Sequence, residues 1–325
     1  MTRIIEGTNL KKYFPARQDI FSRGKSDLHA VDEVDIHIDE DETLGLAGES
    51  GCGKTTLGRI LVGLIKPTSG IVRFMGEDIS GFSKKDFKKL RPKMQIIFQN
   101  PLASLNPRKT VRQILSQPYK IHNVGDKDYI DEQVSRLLED VGLSPAGLYV
   151  DRYPHEFSGG QRQRIVFARS LCLNPKFVVA DEPVSSLDIS VRAQLLNLLK
   201  TLQLKFKVAC LFITHDLSVL RSVSNRVCIM YLGEIVELAS VDDIFSNPLH
   251  PYTEALLSAT PVPNPRKARN RKTITLKGDP PSPIDIPPGC RFQSRCFCSL
   301  DKCSKQKPQL HCINGDHVVA CHLRV

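Results

Sequence analysis

The run Gly48-Glu49-Ser50-Gly51-Cys52-Gly53-Lys54-Thr55 fits the pattern G-x-x-x-x-G-K-[ST]. Glycines at those places let the backbone turn tightly and aim N–H groups at phosphate oxygens. The lysine, Lys54, then reaches the β- and γ-phosphates of a nucleoside triphosphate, and the Thr55 hydroxyl joins the shell of a Mg²⁺ ion. With Thr56, these residues form the candidate nucleotide-binding set. A second feature lies far downstream. Phe177–Ala180 is a short apolar run that ends in Asp181 and Glu182. Asp181 is placed to hold Mg²⁺, and Glu182 to polarise an attacking water, a base role worth about 10²–10⁴ in rate. A Gly-rich turn or an acidic turn alone is ordinary loop chemistry. Together they point to hydrolysis of a nucleoside triphosphate.

Each of these groups needs an element to carry it. Thr43–Ala47 (TLGLA) reads as an apolar strand running into the glycine loop, and Lys54–Leu64 as the helix leaving it. Phe177–Ala180 reads as a strand buried on both faces. Carboxylates at its C-terminal end lie where open α/β sheets bind ligands. Met94–Phe98 and Ala209–Thr214 are further strand-like runs, followed by Gln99 and His215. Ser158-Gly159-Gly160-Gln161 opens a predicted helix over 159–172, with Ser158 at its N-cap. Such a helix start offers free N–H groups and a positive dipole end to an anion.

Taken in order, these motifs resemble the ATP-binding cassette (ABC) family. Ser158-Gly159-Gly160-Gln161 matches its hallmark, Gln99 its Q-loop glutamine, Ser185-Ser186-Leu187-Asp188 its D-loop, and His215 its switch histidine. Phe14, in NLKKYF, resembles the aromatic that stacks on adenine, with Tyr13 as the alternative. The resemblance implies an α/β fold. Its parts are a P-loop NTPase core, an N-terminal antiparallel β subdomain, a helical subdomain inserted over about 100–157, and a small Cys-rich C-terminal extension. It implies that Lys54, Gln99, Glu182 and His215 carry catalysis on ATP, with Thr55, Gln99 and Asp181 around Mg²⁺. Ser158, Gly159, Gly160, Gln161 and Asp188 are then expected to act on ATP bound by a second cassette. Two cassettes would face head to tail with two ATP molecules sandwiched between them.

Composition bounds the rest. The 325 residues are long for one domain and fit one large domain with an appendage. Hydrophobic residues make up 41% of the chain, enough for a substantial core. There is no apolar run near the ~18 residues that a membrane helix needs. The segment MTRIIEGTNLKKYF lacks the apolar stretch of a secretory signal, so a cytosolic protein is expected. The formal charge is +10. It gathers in KKDFKKLRPK (84–93) and RKARNRK (266–272), read as a solvated helix face and a linker, with contact to an anionic membrane face as a further use. Residues 1–258 are read as one cassette and 259–325 as a Pro- and Cys-rich extension. Within the cassette, VRQILSQPYKI and DEQVSRLLEDVGL have helical spacing. HPYTEALLSATP (250–261) reads as a short helix bounded by prolines, and 262–289 as an extended linker.

Six of the ten cysteines lie between 290 and 321. Cys290, Cys296, Cys303 and Cys321 give C-x5-C-x6-C-x17-C, with Cys298 and Cys312 in addition. In a cytosolic protein clustered thiols point to metal rather than disulfide. The spacing leaves zinc, iron–sulfur and free thiols open. Cys172, Cys210 and Cys228 sit in apolar runs and read as core. Cys52, inside the loop, has two readings: a small side chain tolerated where little room is needed, or a thiol whose pKa Lys54 and the helix-start N–H groups lower, which would make turnover sensitive to thiol reagents.

A narrower resemblance runs through nearly the whole chain. QNPLASLNPR (99–108), YPHEFSGGQRQRI (153–165), NPLHPYTEALLSATP (247–261), GDPPSP (278–283), PPGCRFQSRC (287–296) and VACHL (319–323) resemble the F-type ATP-binding subunit of dipeptide/oligopeptide ABC importers. This implies an ATPase that energises peptide uptake from the cytoplasmic face of the inner membrane, as a peripheral subunit. It implies as partners a second, related but non-identical ABC ATPase, two transmembrane permease subunits and an extracytoplasmic peptide-binding protein, with no direct peptide binding by this chain and no nucleic acid. The helical insertion is expected to offer a groove to a permease helix. Some members of the branch carry a [4Fe–4S] cluster in the tail, and the matching positions are Cys290, Cys296, Cys303 and Cys321. The alternative class is a non-transport ABC ATPase acting on nucleic acid or ribosomes. The basic charge permits it, while the single cassette and the lack of an RNA-reading motif speak against it.

Overall fold

The computed structural model describes residues 2–16, 27–100, 104–185, 187–260 and 273–324. Ser186 of the D-loop motif, residues 101–103 after the Q-loop, Pro261 and the basic run 266–272 lie outside the described residues. The elements begin with β1 (Arg3–Pro15), β2 (Asp27–Asp39), β3 (Thr43–Ala47), α1 (Lys54–Leu61), β4 (Ser69–Phe74), β5 (Glu77–Asp78), α2 (Lys84–Leu90) and β6 (Met94–Ile97). There follow α3 (Val111–His122), α4 (Lys127–Asp140), α5 (Gly159–Leu171), β7 (Phe177–Asp181), α6 (Ile189–Phe206), β8 (Ala209–Ile213), α7 (Leu217–Val223) and β9 (Arg226–Tyr231). The chain closes with β10 (Glu234–Ser240), α8 (Val241–Ser246), α9 (Pro251–Ala259), α10 (Asp301–Lys305), β11 (His311–Asn314) and β12 (His317–Val319). These elements fall into two compact units. One contains Met1–Ile4, Ile38–Glu42 and Gly81–Phe212; the other contains Ile5–His37, Thr43–Ser80 and Ile213–Val325.

In the unit that holds the glycine loop, β1 lies between β2 and β4, with β5 at the far side of β4. The β1–β4 and β4–β5 pairs run antiparallel, the N-terminal sheet that the sequence led us to expect. A second sheet of this unit runs in the order β11-β12-β10-β9-β3. All five residues of β3 are buried, as befits a strand covered on both faces. It runs parallel to β9, with Leu44 beside Arg226 and Ala47 beside Ile229. The far C-terminus joins the same sheet: β12 pairs antiparallel with β10, Glu237 opposite Val319. Helix α1 stops at Leu61, short of the predicted Leu64. Gly63 turns left-handed (φ 63°) there, and the Gly63 and Leu64 N–H groups bond back to the Ile60 and Arg59 carbonyls, an ordinary helix stop.

In the other unit β6 and β7 run parallel, Met94 beside Phe177 and Ile97 beside Ala180, and β8 lies next to β7. β7 is buried throughout. The two helical stretches expected within the insertion are α3 and α4. Thr110 and Gln113 cap the start of α3 reciprocally, and Asp126 caps α4. Arg112 ties them, donating to Asp131 at 2.8 Å and to Asp151 at 3.1 Å. The basic helix α2 buries none of its residues, so its lysines face water. Cys172 and Cys210 here, and Cys228 in β9, are buried as expected, and burial pushes each thiol up to about 12.

Candidate nucleotide-binding site

The glycine loop is built so that no side chain fits at two of its bends. At Gly48 (φ 153°) an added Cβ would lie 2.1 Å from the Met230 carbonyl oxygen. At Gly53 (φ 109°) it would lie 2.0 Å from that of Ala30. Both obstacles are backbone, which cannot swing away, so the loop's close curl against β9 and β2 requires glycine there. Lys54 is 6% exposed and opens α1. Its ammonium donates to the carbonyls of Gly48 (2.8 Å) and Glu49 (2.7 Å) and so sits inside the curl of the loop. Thr55 and Thr56 follow, half-buried on the first turn of α1, while Ser50 and Gly51 are exposed at the loop's tip. An ammonium held inside a tight glycine loop at the start of a helix suits the triphosphate of a nucleotide.

Cys52 departs from the second of its two readings. It is 6% exposed, and its Sγ lies 3.6 Å from the Lys54 ammonium. Burial pushes its thiol up and outweighs the downward pull of Lys54. The low-pKa thiol of that reading is overturned because desolvation of a thiolate costs more here than one cation returns.

On β1, Tyr13 and Phe14 have different surroundings. The Tyr13 hydroxyl donates to Asp32, and its ring packs on His29 at 4.0 Å between centroids. Burial pushes the Asp32 carboxyl up, but the bond from Tyr13 and the charge of Arg291 hold it below the usual range. Tyr13 is thus committed to a structural cluster. Phe14 is half-buried, with the Lys12 ammonium 5.0 Å from its ring centre. In the same unit His215 is exposed just beyond β8, where Thr214 is anchored by its N–H to Leu46 O at 3.1 Å.

In the other unit, register brings a second set together. Because Ile97 pairs with Ala180, β6 and β7 end side by side, and the residues just beyond them meet. The Gln99 amide donates to the Glu182 carboxylate at 2.7 Å. Glu182 takes a left-handed backbone (φ 46°) immediately after β7, an uncommon geometry for a side-chain-bearing residue and one that clusters at functional sites. Asp181 is buried at the last position of β7, 5% exposed. At the start of α5, Ser158 accepts from Gln161 N–H at 3.3 Å, and Ser158 N–H donates to the Gln161 side chain at 3.0 Å. This reciprocal cap fixes the helix start. Gly159 has Leu187 as its neighbour, and a Cβ on Gly160 would lie 2.7 Å from Val191. The second glycine therefore has a packing reason: α6 begins against it. Asp188, at the N-cap of α6, is exposed, and its side chain makes no cap bond.

This unit also holds a groove of about 420 Å³, lined among others by Phe98, Ser104, Pro118, Ile121, Val166 and Arg169. Phe98 is 38% and Ile121 50% exposed on its walls.

In the tail, Cys303 and Cys321 are buried, Cys290, Cys296 and Cys298 half-buried, and Cys312 exposed. Cys296 and Cys298 Sγ atoms lie 3.9 Å apart. Burial, together with neighbouring thiols, pushes Cys290 to about 11 and Cys296 to about 12. Among the described residues no group of three or more His, Cys, Asp or Glu side chains is placed to hold a metal ion. The four-thiol set that the resemblance implies therefore has no support as a metal site.

Two residues that no local pattern marked touch the glycine loop. Tyr252 of α9 accepts from Glu49 N–H at 2.9 Å, and Arg295 pairs with the Glu49 carboxylate.

Comparison with known proteins gives a consistent picture. Residues 31–185 match the family model for the ABC transporter, and residues 236–303 match that for the oligopeptide/dipeptide transporter C-terminal region. The chain is 49% identical to the oligopeptide transport ATP-binding protein AppF of Bacillus subtilis, over 98% of this chain and 97% of that one. It is 46% identical to the dipeptide transport ATP-binding protein DppF of Escherichia coli, over 98% and 93%. Among solved structures, a dimeric post-hydrolysis state of the ATP-binding cassette MJ0796 bound to ADP and Pi superposes with a TM-score of 0.63 at 26% identity, covering 73% of this chain and 98% of that one.

Proposed function

This chain belongs to the ABC transporter family, in its oligopeptide and dipeptide transport ATP-binding branch, and on that premise we propose that it is the ATP-hydrolysing subunit of a peptide importer. The observation that carries the reading is similarity over 98% of the chain, glycine loop and tail together, to proteins that serve peptide transport. The intact chemistry supports it. Lys54 binds and orients phosphate oxygens from inside the loop. Glu182 takes a proton from the attacking water at its carboxylate, and Gln99 holds that carboxylate in place. His215 adds a hydrogen bond to the γ-phosphate, and Phe14 offers a face to adenine. Mg²⁺ supplies charge neutralisation on the phosphates, and the hard oxygens of Thr55 and Asp181, with Gln99, are suited to hold it. Ser158, Gly159, Gly160, Gln161 and Asp188 serve the nucleotide of a second cassette; the dimeric arrangement of the MJ0796 cassette supports that role.

The partners follow from the same reading: a second, related ATPase, two permease subunits and an extracytoplasmic peptide-binding protein. The groove walled by Phe98 and Ile121 suits the apolar face of a short permease helix. No helix among the described residues is long and apolar enough to cross a membrane, which is compatible with a peripheral subunit at the cytoplasmic face. A [4Fe–4S] cluster on Cys290, Cys296, Cys303 and Cys321 has no support in the arrangement of these thiols. Iron and acid-labile sulfide analysis of anaerobically purified protein decides it.

The test is reconstitution in liposomes with the permeases and the cognate second ATPase. ATP turnover is expected to rise when peptide-loaded binding protein is supplied. Turnover indifferent to that assembly, and raised instead by DNA or ribosomes, would replace this reading with the nucleic-acid class.

A further inference from the structure

The second residue of the glycine loop is held at three points, and two of the holds come from the C-terminal part of the chain. The Glu49 carbonyl accepts from the Lys54 ammonium at 2.7 Å. Its N–H donates to the Tyr252 hydroxyl at 2.9 Å, and Tyr252 is completely buried. Its carboxylate receives one guanidinium nitrogen of Arg295, at 3.0 and 2.9 Å from its two oxygens. These partners are separated from Glu49 by 203 and 246 residues. The Arg295 side chain is 9% exposed and that of Glu49 27%, so the pair is largely shielded from water.

The arginine is itself firmly seated. Residues 290–296 form a stack of turns, with Gln293 N–H on Cys290 O and Arg295 N–H on Phe292 O, both at 3.0 Å. Cys290 N–H is bonded to Cys303 O at 2.8 Å, and Arg291 pairs with Asp32 and with Glu234. Phe292, 1% exposed, packs on the rings of Tyr231 and Tyr252 at 5.3 Å each. Attachment of the tail therefore has Arg291 and Phe292 to carry it, while Arg295 faces the loop, with the Tyr231 hydroxyl 3.4 Å from the same nitrogen that meets Glu49. A carboxylate beside a triphosphate site is otherwise a liability, because it repels the incoming anion.

We propose that Arg295 is a positioning residue for ATP binding: it neutralises Glu49 and fixes it so that the Glu49 carbonyl keeps the Lys54 ammonium directed into the phosphate cradle. The inference rests on the reading of the loop as an ATP site and adds that the peptide-transporter-type tail sets the affinity of that site. Arg295 acts through Glu49 and touches no reacting atom.

The experiment measures steady-state kcat and KM for ATP, with equilibrium binding of a fluorescent ATP analogue, in the full chain. Arg295→Ala is expected to raise KM about tenfold, equivalent to about 1.4 kcal/mol, with kcat within about twofold. Arg295→Lys, a point charge in place of a planar fork, is expected to fall between. The informative step is the second change: Arg295→Ala combined with Glu49→Gln removes the stranded charge and should bring KM back to within about threefold of wild type. A merely structural Arg295 would lower the melting temperature and leave KM untouched, and Glu49→Gln would rescue nothing; either result overturns the proposal. If Arg295→Ala proves misfolded by circular dichroism, Arg295→Gln takes its place with the same expectations. Wild-type protein that fails to bind the analogue would instead sink the ATP reading itself, which keeps the two failures apart.

Discussion

Glu182→Gln separates nucleotide binding from turnover. In the structure the Glu182 carboxylate accepts from the Gln99 amide at 2.7 Å. Glutamine has nearly the same shape, and its oxygen can accept from Gln99 in the same way, so the tie between the ends of β6 and β7 survives. What is lost is the base. That loss should lower kcat by about 10²–10⁴, a rise in barrier of about 3–5 kcal/mol, while affinity for Mg·ATP stays within about threefold. Gln99→Ala is a milder test. It removes one hydrogen bond to a charged group at an exposed position, for which about 1.5 kcal/mol and a loss of about tenfold in kcat are appropriate. The part of the Gln99 effect that runs through this bond to the base should vanish in the double substitution, leaving only what Gln99 contributes at Mg²⁺. Phosphate release in single and multiple turnover, with equilibrium binding of labelled ATP, reads all three variants. The reasoning fails if Glu182→Gln turns over within tenfold of wild type, or if the two losses multiply in full.

Three other outcomes are expected. His250 caps α9 by accepting from Tyr252 N–H at 3.0 Å, and burial pushes its pKa down to about 3. The unfolded chain therefore takes up a proton below pH ~6.5 that the folded one refuses. Stability from this group is complete above that pH and falls by about 1.4 kcal/mol per unit toward pH 3. His250→Asn keeps the cap and should flatten urea stability between pH 6.5 and 5 by about 1.5 kcal/mol; an unchanged slope would contradict the burial argument. Ser158→Arg should disable the nucleotide site of the second cassette. Combined with loss of that cassette's own loop lysine it should leave about half of turnover, and combined with Lys54→Ala it should leave almost none; the reverse pattern would place Ser158 in cis. Cys52, buried and with its thiol pushed up, should resist iodoacetamide at neutral pH while the exposed Cys312 is alkylated. Rapid labelling of Cys52 with loss of turnover, seen by peptide mass spectrometry, would refute that.

The sequence alone determined the parts whose signals are local. β3 begins and ends where the run TLGLA does, and α5 begins just after Ser158 because the S-G-G-Q order supplies both halves of a reciprocal cap within three residues. Short apolar runs ending before Asp181 and His215 found strand ends because a strand covered on both faces must be apolar throughout and can turn polar only where it leaves the sheet. Tertiary structure decided what depends on residues far apart in the chain. Only the β6–β7 register puts the Gln99 amide on Glu182. Only the approach of Val191 on α6 gives Gly160 its packing reason. Tyr13 proved a partner of Asp32, 19 residues away, which left Phe14 beside it available. The loop thiol, judged from its neighbours in sequence, had an acidic reading, and burial reversed the sign. The tail read as an extended linker followed by a cluster of thiols, yet β12 is a strand of the same sheet as β3, and Arg295 reaches Glu49 across 246 residues. Periodicity and motif spacing report which face of an element is apolar. They carry no information on which distant side chain will fill the place opposite, because that is fixed by packing and by the desolvation of charge.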